Sequence, residues 1–494
     1  MFRTTQTRQK IKSTFEDYAA DKSFFDDLFV NDGTIREYYK DIYEYFCLYS
    51  PNDIKEFNQY AKESFFNQGI TFNVYSDKAK GVERIFPFDL LPRVINKKEW
   101  DFIERGVQQR NTAINMFLYD LYHEQKILKD KVVPADLLLS CSFYNKHMEG
   151  INPVGDIYVH VAGTDIIKHS DGEYYVLEDN VRCPSGVSYV LSNRETMKRT
   201  FPNMLRGHNV MSVYDYPEEL LQTMQSVAPN NVDNPTCVVL TPGVFNSAYY
   251  EHSFLALWMG VQLVEGRDLF VENNYVYMRT IYGPQKVDVI YRRVDDDFID
   301  PLVYRKDSCL GVPGLMGAYA AGNVTLLNAP GTGAADDKAV YIYLPQIIKY
   351  YLSEEPILNN VHTYRCEIPS ECSYVLENME NLVVKPVDES GGYGVMIGSK
   401  STKAERDEYK KKIKENPRKY IAQPIMKLST HPTFIEDSEV FEPRHIDLRV
   451  FSLIGRERSY TCKGGLTRVA LKKGSLIVNS SQGGGSKDTW VLEE

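Results

Sequence analysis

Two carboxylates and an amide, Asp165, Glu178 and Asn180, lie in a stretch whose spacing lets them share one face. Asp171-Gly172 separates two extended runs. Asp-Gly between alternating strands predicts a two-residue hairpin turn, because both central residues need φ > 0. With that turn Ser170 faces Glu173, Lys168 faces Tyr175 and Asp165 faces Glu178, and Asn180 projects from the same face as Glu178. Directly opposed side chains lie roughly 4.5–5.5 Å apart, and like charges there are destabilising. The arrangement therefore asks for a cation, and all-oxygen donors suit Mg²⁺ or Mn²⁺. Taken alone, the stretch is also compatible with a solvent-exposed acidic hairpin.

Leu382-Val-Val-Lys385-Pro leads into a turn rich in glycine (Gly391, Gly392, Gly394) and then a second strand, Val395-Met-Ile397. Such a unit can fold over phosphates, with backbone N–H donors and a lysine as point charge. Small residues at 328–335 run into Asp336-Asp337-Lys338 at the start of a helix expected over 339–351, a plausible anion site or a plain N-cap. Arg444-His-Ile-Asp-Leu-Arg-Val-Phe451 alternates strictly, with His445, Asp447, Arg449 and Phe451 on one face. Arg292 to Phe298 is a dense polar cluster just past a strand expected over 287–291.

These groups need elements to hold them. Residues 1–68 read as an N-terminal helical region, with helical spacing of apolar residues from Glu16 to Phe46. Trp100 to Leu121 reads as an amphipathic helix whose polar face, including Arg110 and Asn111, is solvated by default. Residues 235–330 read as a strand–helix–strand unit of an open α/β sheet, whose ligands bind at the carboxyl ends of the strands. No Gly-x-Gly-x-x-Gly is present, so no dinucleotide site is read. The final stretch, 478–490, is rich in glycine and hydroxyls; a trailing tail is the default, against which Trp490-Val-Leu492 argues for docking.

At 494 residues the chain is long enough for two to four compact units. A net charge of −10 argues against generic binding to nucleic acid or acidic membranes. Eight scattered cysteines form no Cys-x-x-Cys pair, the start lacks an apolar signal region and no run approaches a membrane span, so a cytoplasmic protein is expected.

The order of these parts resembles the circularly permuted ATP-grasp family, which includes the synthetase domain of glutathionylspermidine synthase. The resemblance rests on Val-Leu-Glu-Asp-Asn-x-Arg-x-Pro-Ser-Gly-Val-Ser-Tyr at 176–189, Tyr-Arg-Arg-x-Asp-Asp-Asp-Phe at 291–298, Asp-Lys338, Val-Val-Lys385-Pro, Asp447-Leu-Arg449, Gly-Gly-Leu-Thr-Arg-Val-Ala at 464–470 and Asn-Ser-Ser-Gln-Gly-Gly-Gly-Ser-Lys-Asp-Thr-Trp at 479–490. It implies a mixed α/β (α+β) fold: a permuted ATP-grasp core with a Rossmann-like unit before it. The expected divisions are 69–210 (metal-binding half of the core), 211–330 (α/β unit), 331–425 (ATP-binding lysines and lid) and 426–494 (remaining half). The resemblance further implies that Asp165, Glu178 and Asn180 hold Mg²⁺ on ATP, that Lys338 and Lys385 contact the phosphates under a lid at Gly391, Gly392 and Gly394, and that Gln423 to Ile425 forms the adenine hinge. Related ligases often carry an arginine two residues before the first metal aspartate; here Gly163 stands there. Arg449, Arg182 and Arg292 are then the candidates to stabilise the reacting phosphoryl and acyl groups.

The chemistry that follows from the resemblance is ATP-dependent joining of a small-molecule or peptide carboxylate to an amine through an acyl phosphate, with release of ADP and phosphate. A phosphotransferase or nucleotidyl-transfer enzyme using the same metal, and a nucleotide-binding regulator without turnover, are the competing readings.

Overall fold

The structure is a computed structural model that describes residues 14–76, 79–388, 394–479 and 483–493. It is a mixed α/β fold organised on one nine-stranded sheet. The sheet's spine is the 15-residue strand Val440–Ile454. Its alternation sorts two environments. Leu448 and Val450 pack with Trp100, Ile103 and Val107 of the helix Lys97–Tyr122 in one core cluster, while Asp447 and Arg449 take the opposite face.

The two ends of the chain meet across this strand. On one side it pairs antiparallel with Val161–Lys168, which pairs with Tyr174–Asn180, so that Arg449, Asp165 and Glu178 follow one another across three strands. On the other side lie Leu466–Val469, then Gly485–Val491, then Phe88–Ile95, the last two parallel. The terminal strand Gly485–Val491 is buried at every residue. Its polar side chains are paired: Lys487 bonds Asp89, and Asp488 accepts from Arg194 at 2.8 Å and from the Trp490 indole at 2.6 Å. Arg93 of the neighbouring strand pairs with Asp27 at 2.7 Å. The docking expected from Trp490-Val-Leu492 thus takes the form of a core strand.

The Asp165–Glu178 pairing arises by a route other than the expected one. The turn spans three residues: His169 and Glu173 close it, and Gly172 is left-handed (φ +86°). This moves the register by one, so Lys168 pairs with Tyr174 and not with Tyr175. A bulge at Leu177 inserts a residue on the second strand and restores Asp165 opposite Glu178.

A second, parallel sheet runs Thr325–Leu327, Val289–Arg292, Cys237–Leu240, Gln262–Val264, with the helix Tyr249–Met259 as crossover. The single strand expected over 287–291 is split at Asp288 into Gly283–Val287 and Val289–Arg292. A third sheet, Tyr364–Arg365, Tyr420–Pro424, Leu382–Pro386, Met396–Ile397, carries Lys385.

Three further expectations differ from the structure. Among the described residues of the N-terminal region, helix is confined to Glu37–Tyr39, Lys40–Phe46 and Pro51–Asn67. Upstream, the Asp26 carboxylate accepts the N–H groups of Leu28 and Phe29, and Gly33 turns the chain with φ +86°, which competes with helix. The helix expected over 339–351 begins at Leu344, with Pro345 in its first turn. Lys338 therefore does not stand at a helix N-terminus, and Asp337 instead accepts the Ala339 N–H at 2.7 Å. Arg110 and Asn111 are buried, not solvated: Arg110 grips Asp179 of the large sheet at 3.0 and 2.5 Å and donates to Asn360 at 2.6 Å. Among the described residues no helix is long and apolar enough to cross a membrane.

Candidate functional site

A cleft of about 150 Å³, open at its mouth, lies between the charged face of the large sheet and the sheet that carries Lys385. Its walls separate into two parts. One is apolar, built from residues such as Val383, Val395, Ile397, Met426, Leu428 and Ile477. The other is charged and contains Asp165, Glu178, Asp447, Lys338, Lys385 and Arg468.

The charged part is a lattice set by strand register. Arg449 pairs across the ladder with Asp165, and Asp447 with Arg468 on the other neighbour. Arg449 Nε meets Asp165 Oδ1 at 2.6 Å, and Nη2 meets Oδ2 at 2.8 Å. Arg468 Nη2 reaches the same Oδ2 at 2.9 Å, and Arg468 also clasps Asp447, with Nε at 2.8 Å from Oδ1. Burial raises the proton affinity of Asp165, but Arg449 and Arg468 outweigh it and hold the carboxyl well below the usual range. Asp447, buried and with Arg468 as its ion pair, is shifted upward by burial.

Glu178 stands at the edge of this lattice. Its Oε1 is 3.9 Å from Arg449 Nη2 and its Oε2 is 3.6 Å from Lys338 Nζ. Asn180 donates its amide N–H to Gly163 O at 3.2 Å, which leaves its carbonyl end as the acceptor. Gly163 lies under Pro184 and beside Arg449: a Cβ there would stand 3.0 Å from Pro184 Cβ, a tight approach, and in ordinary contact, 3.5 Å, with Arg449 Cδ.

Lys385 enters from the third sheet. Burial pushes its ammonium down to about 8, against the pull of Glu178 and Asp165. Among the described residues its hydrogen-bond partner is neutral, Gln423 Oε1 at 2.7 Å, and Gln423 in turn donates to Thr363 at 2.9 Å. Pro424 and Met426 line the apolar wall, on either side of Ile425, whose N–H donates to Asn381 O. Gly391 and Gly392 lie outside the described residues. Gly394 is left-handed (φ +65°), and a Cβ there would come within 2.8 Å of Pro386.

The structure brings Asp165, Glu178, Lys338, Lys385, Gln423 and Arg449 together, and adds Arg468 and Asp447. Arg468 falls within the stretch 464–470 but is not among the expected site residues; its pairing opposite Asp447 places it on the charged face. Arg182 is one step removed. It lies over the Phe143 ring and 3.8 Å from Asp295 and from Asp336, whose carboxyl burial pushes up to about 6. Arg292 is not brought to the cleft. It is fully buried and donates to the carbonyls of Asn328, Val294 and Ala329, bracing the loop after Thr325–Leu327.

The donor chemistry fits a hard cation: two carboxylates and an amide carbonyl on adjacent strands. Asp165, however, is already compensated by two guanidiniums. Among the described residues no cluster of three His, Cys, Asp or Glu side chains forms a cage. Among the described residues the lining and Arg449 together hold three carboxylates and four cations, a set that suits a polyanion.

Comparisons with known proteins agree with this geometry. Residues 92–470 match the model of the family described as circularly permuted ATP-grasp type 2. A protein of Synechocystis sp. is 51% identical over 471 residues, covering 95% of this chain and 97% of the relative. A Mycobacterium tuberculosis protein is 50% identical over 468 residues, covering 95% and 84%. A Frankia casuarinae protein, provisionally named glutamate–cysteine ligase 2-2, is 42% identical over 428 residues; they cover 86% of this chain and 48% of that longer protein, about half its length. The solved structure of a glutathione synthetase-like effector from Globodera pallida superposes with a TM-score of 0.59 over 90% of this chain and 98% of its own; at 12% identity the likeness is one of fold.

Proposed function

This chain belongs to the circularly permuted ATP-grasp type 2 family, and from that premise we propose that it is an ATP-dependent carboxylate–amine ligase. One observation carries the reading: at the charged end of an apolar slot, cations from four separate segments of the chain surround two carboxylates on one sheet face. The slot suits a flat base, with Gln423 and the residues flanking Ile425 as the hinge. The charged end suits the phosphates, toward which Lys338 and Lys385 act as point charges. Asp165, Glu178 and Asn180 would hold Mg²⁺ or Mn²⁺, which when bound supplies charge neutralisation on the phosphates.

Lys385, with a neutral amide as its contact, is ready for an anion without first losing an ion pair. A substrate carboxylate attacking the γ-phosphate spreads negative charge over the phosphoryl oxygens, which Lys338, Lys385 and Arg449 are placed to stabilise. The acyl phosphate so formed loses phosphate to an amine, giving an amide. Arg182, beside Asp336, is a further arginine one step behind the charged end. Water must be kept from the acyl phosphate, a task for the strands and turn that carry Lys385 and Gly394. The test is turnover with pooled acids and amines. ADP and amide should form in equal amounts and only with both substrates present; ADP released without an amide product would point to phosphotransfer and overturn the ligase.

A further inference from the structure

Asp165 is saturated by arginine: Oδ1 by Arg449 Nε, Oδ2 by both Arg449 Nη2 and Arg468 Nη2, all within 2.9 Å. A dication joining those oxygens would meet two guanidiniums where burial leaves little water to screen like charge. A phosphate chain changes the balance, since guanidinium pairs with phosphate as well as with carboxylate. Both arginines can reach one. Arg468 lines the cleft, and Arg449 extends to within 3.9 Å of Glu178 at the cleft's charged end. Each also has a reason to stay in place once Asp165 is given up. Asp447 anchors Arg468 through a second carboxylate, and Ser185 O accepts from Arg449 Nη1 at 3.3 Å.

We propose that Arg449 and Arg468 are exchangeable counter-ions: they neutralise Asp165 while the cleft lacks nucleotide and turn to the phosphates when nucleotide arrives, so that Asp165 takes a divalent cation only together with the nucleotide. The inference rests on the nucleotide site proposed above. It adds a ligand role for Arg468 and an order of assembly. The ion pairs that hold the empty cleft are the groups that bind the filled one, so neither guanidinium is left as an uncompensated buried charge in either state.

Mn²⁺ affinity of the full chain, read by electron paramagnetic resonance with and without β,γ-imido-ATP, tests this. Wild type should bind Mn²⁺ weakly alone and about tenfold or more tightly with the analogue, a coupling of ordinary size. Arg468→Met should tighten Mn²⁺ alone by about tenfold and weaken the analogue, because Asp165 loses one guanidinium and the phosphates lose a donor. Because that change strands Asp447, the double variant Asp447→Asn with Arg468→Met is measured beside it, with circular dichroism to confirm folding. Equal Mn²⁺ affinity of wild type with and without the analogue overturns the proposal, and calorimetric binding of the analogue then shows that the nucleotide site itself stands. Unchanged affinity for Mn²⁺ alone in the folded double variant also overturns it. If wild type binds no analogue at all, the nucleotide site fails and the proposal falls with it.

Discussion

Two groups of buried ion pairs on the large sheet differ in one respect. At the terminal strand, Lys487 is fully buried against Asp89, Asp488 against Arg194, and Arg93 against Asp27; each charge has an opposite charge at contact and other elements close over them. At the cleft, Asp165, Asp447, Arg449 and Arg468 are as tightly interlocked, yet Lys385 rests on a neutral amide and the cluster opens onto a cavity. Burial does not separate them, since it pushes the ammonium of both Lys487 and Lys385 down. What separates them is partnership: each ammonium or guanidinium of the first cluster has its own carboxylate, whereas in the second Lys385 has a neutral partner and faces the cleft. Buried charge is evidence of a site only where the balance is left incomplete.

Four experiments would break or sharpen that contrast. The largest effect should come from deleting residues 464–494. This removes Leu466–Val469 and Gly485–Val491, which join the spine to Phe88–Ile95. Apolar residues such as Trp490, Val491 and Leu466 then lose their packing, at roughly 1.5–3 kcal/mol for each aliphatic side chain. The 1–463 fragment should not unfold cooperatively; if it does, and still binds nucleotide, the two clusters do not share one sheet.

Glu178→Gln comes next. It removes a charge at the edge of the cleft and leaves the lattice behind it, so turnover should fall by about 10²–10³ while the melting transition stays put. Wild-type turnover in the variant would take Glu178 out of the site.

Lys487→Met should do the reverse. It leaves Asp89 buried without its partner, a loss on the order of 3–5 kcal/mol in chemical denaturation, with nucleotide affinity of the folded fraction unchanged. A stable variant with weakened nucleotide binding would erase the distinction.

The smallest effect is a proton. Burial lowers Lys385 to about 8, so the free protein carries part of it neutral above that pH. Anion binding favours the charged form, so nucleotide should take up a fraction of a proton at pH 8.5 and almost none from this group at pH 7. Calorimetry in buffers of different ionisation heat reads it, and Lys385→Met should abolish it. The stability sign is separate. A depressed lysine costs folding stability below pH 8, and that cost is relieved as pH rises from 8 toward the unfolded value.

Much of the site was legible because its groups sit on strands whose alternation is strict. Asp447 and Arg449 had to share a face, and Asp165 and Glu178 had to approach across a turn. The latter pairing was reached through two deviations that cancel, a three-residue turn and a bulge at Leu177; neither leaves a pattern in alternation. Arg468 was missed because period-2 spacing states which face a residue takes but not which strand lies beside it. The same gap hid the partners of Arg110 and Lys487, each buried by an element distant in sequence. Pro345 marked where a helix could begin, and the apolar run around it drew the boundary five residues too early.

The sheet draws neighbouring strands from residues 88–95 and 485–491, and this has a consequence in the cell. During synthesis Phe88–Ile95 leaves the ribosome almost four hundred residues before the strand that will lie parallel to it. Until then that edge is unpaired and open to other chains, and the arginines that balance Asp165 have yet to be made. Closure is therefore an event of high contact order, slow by nature, and nascent chains of this protein should be held by chaperones until the second strand emerges.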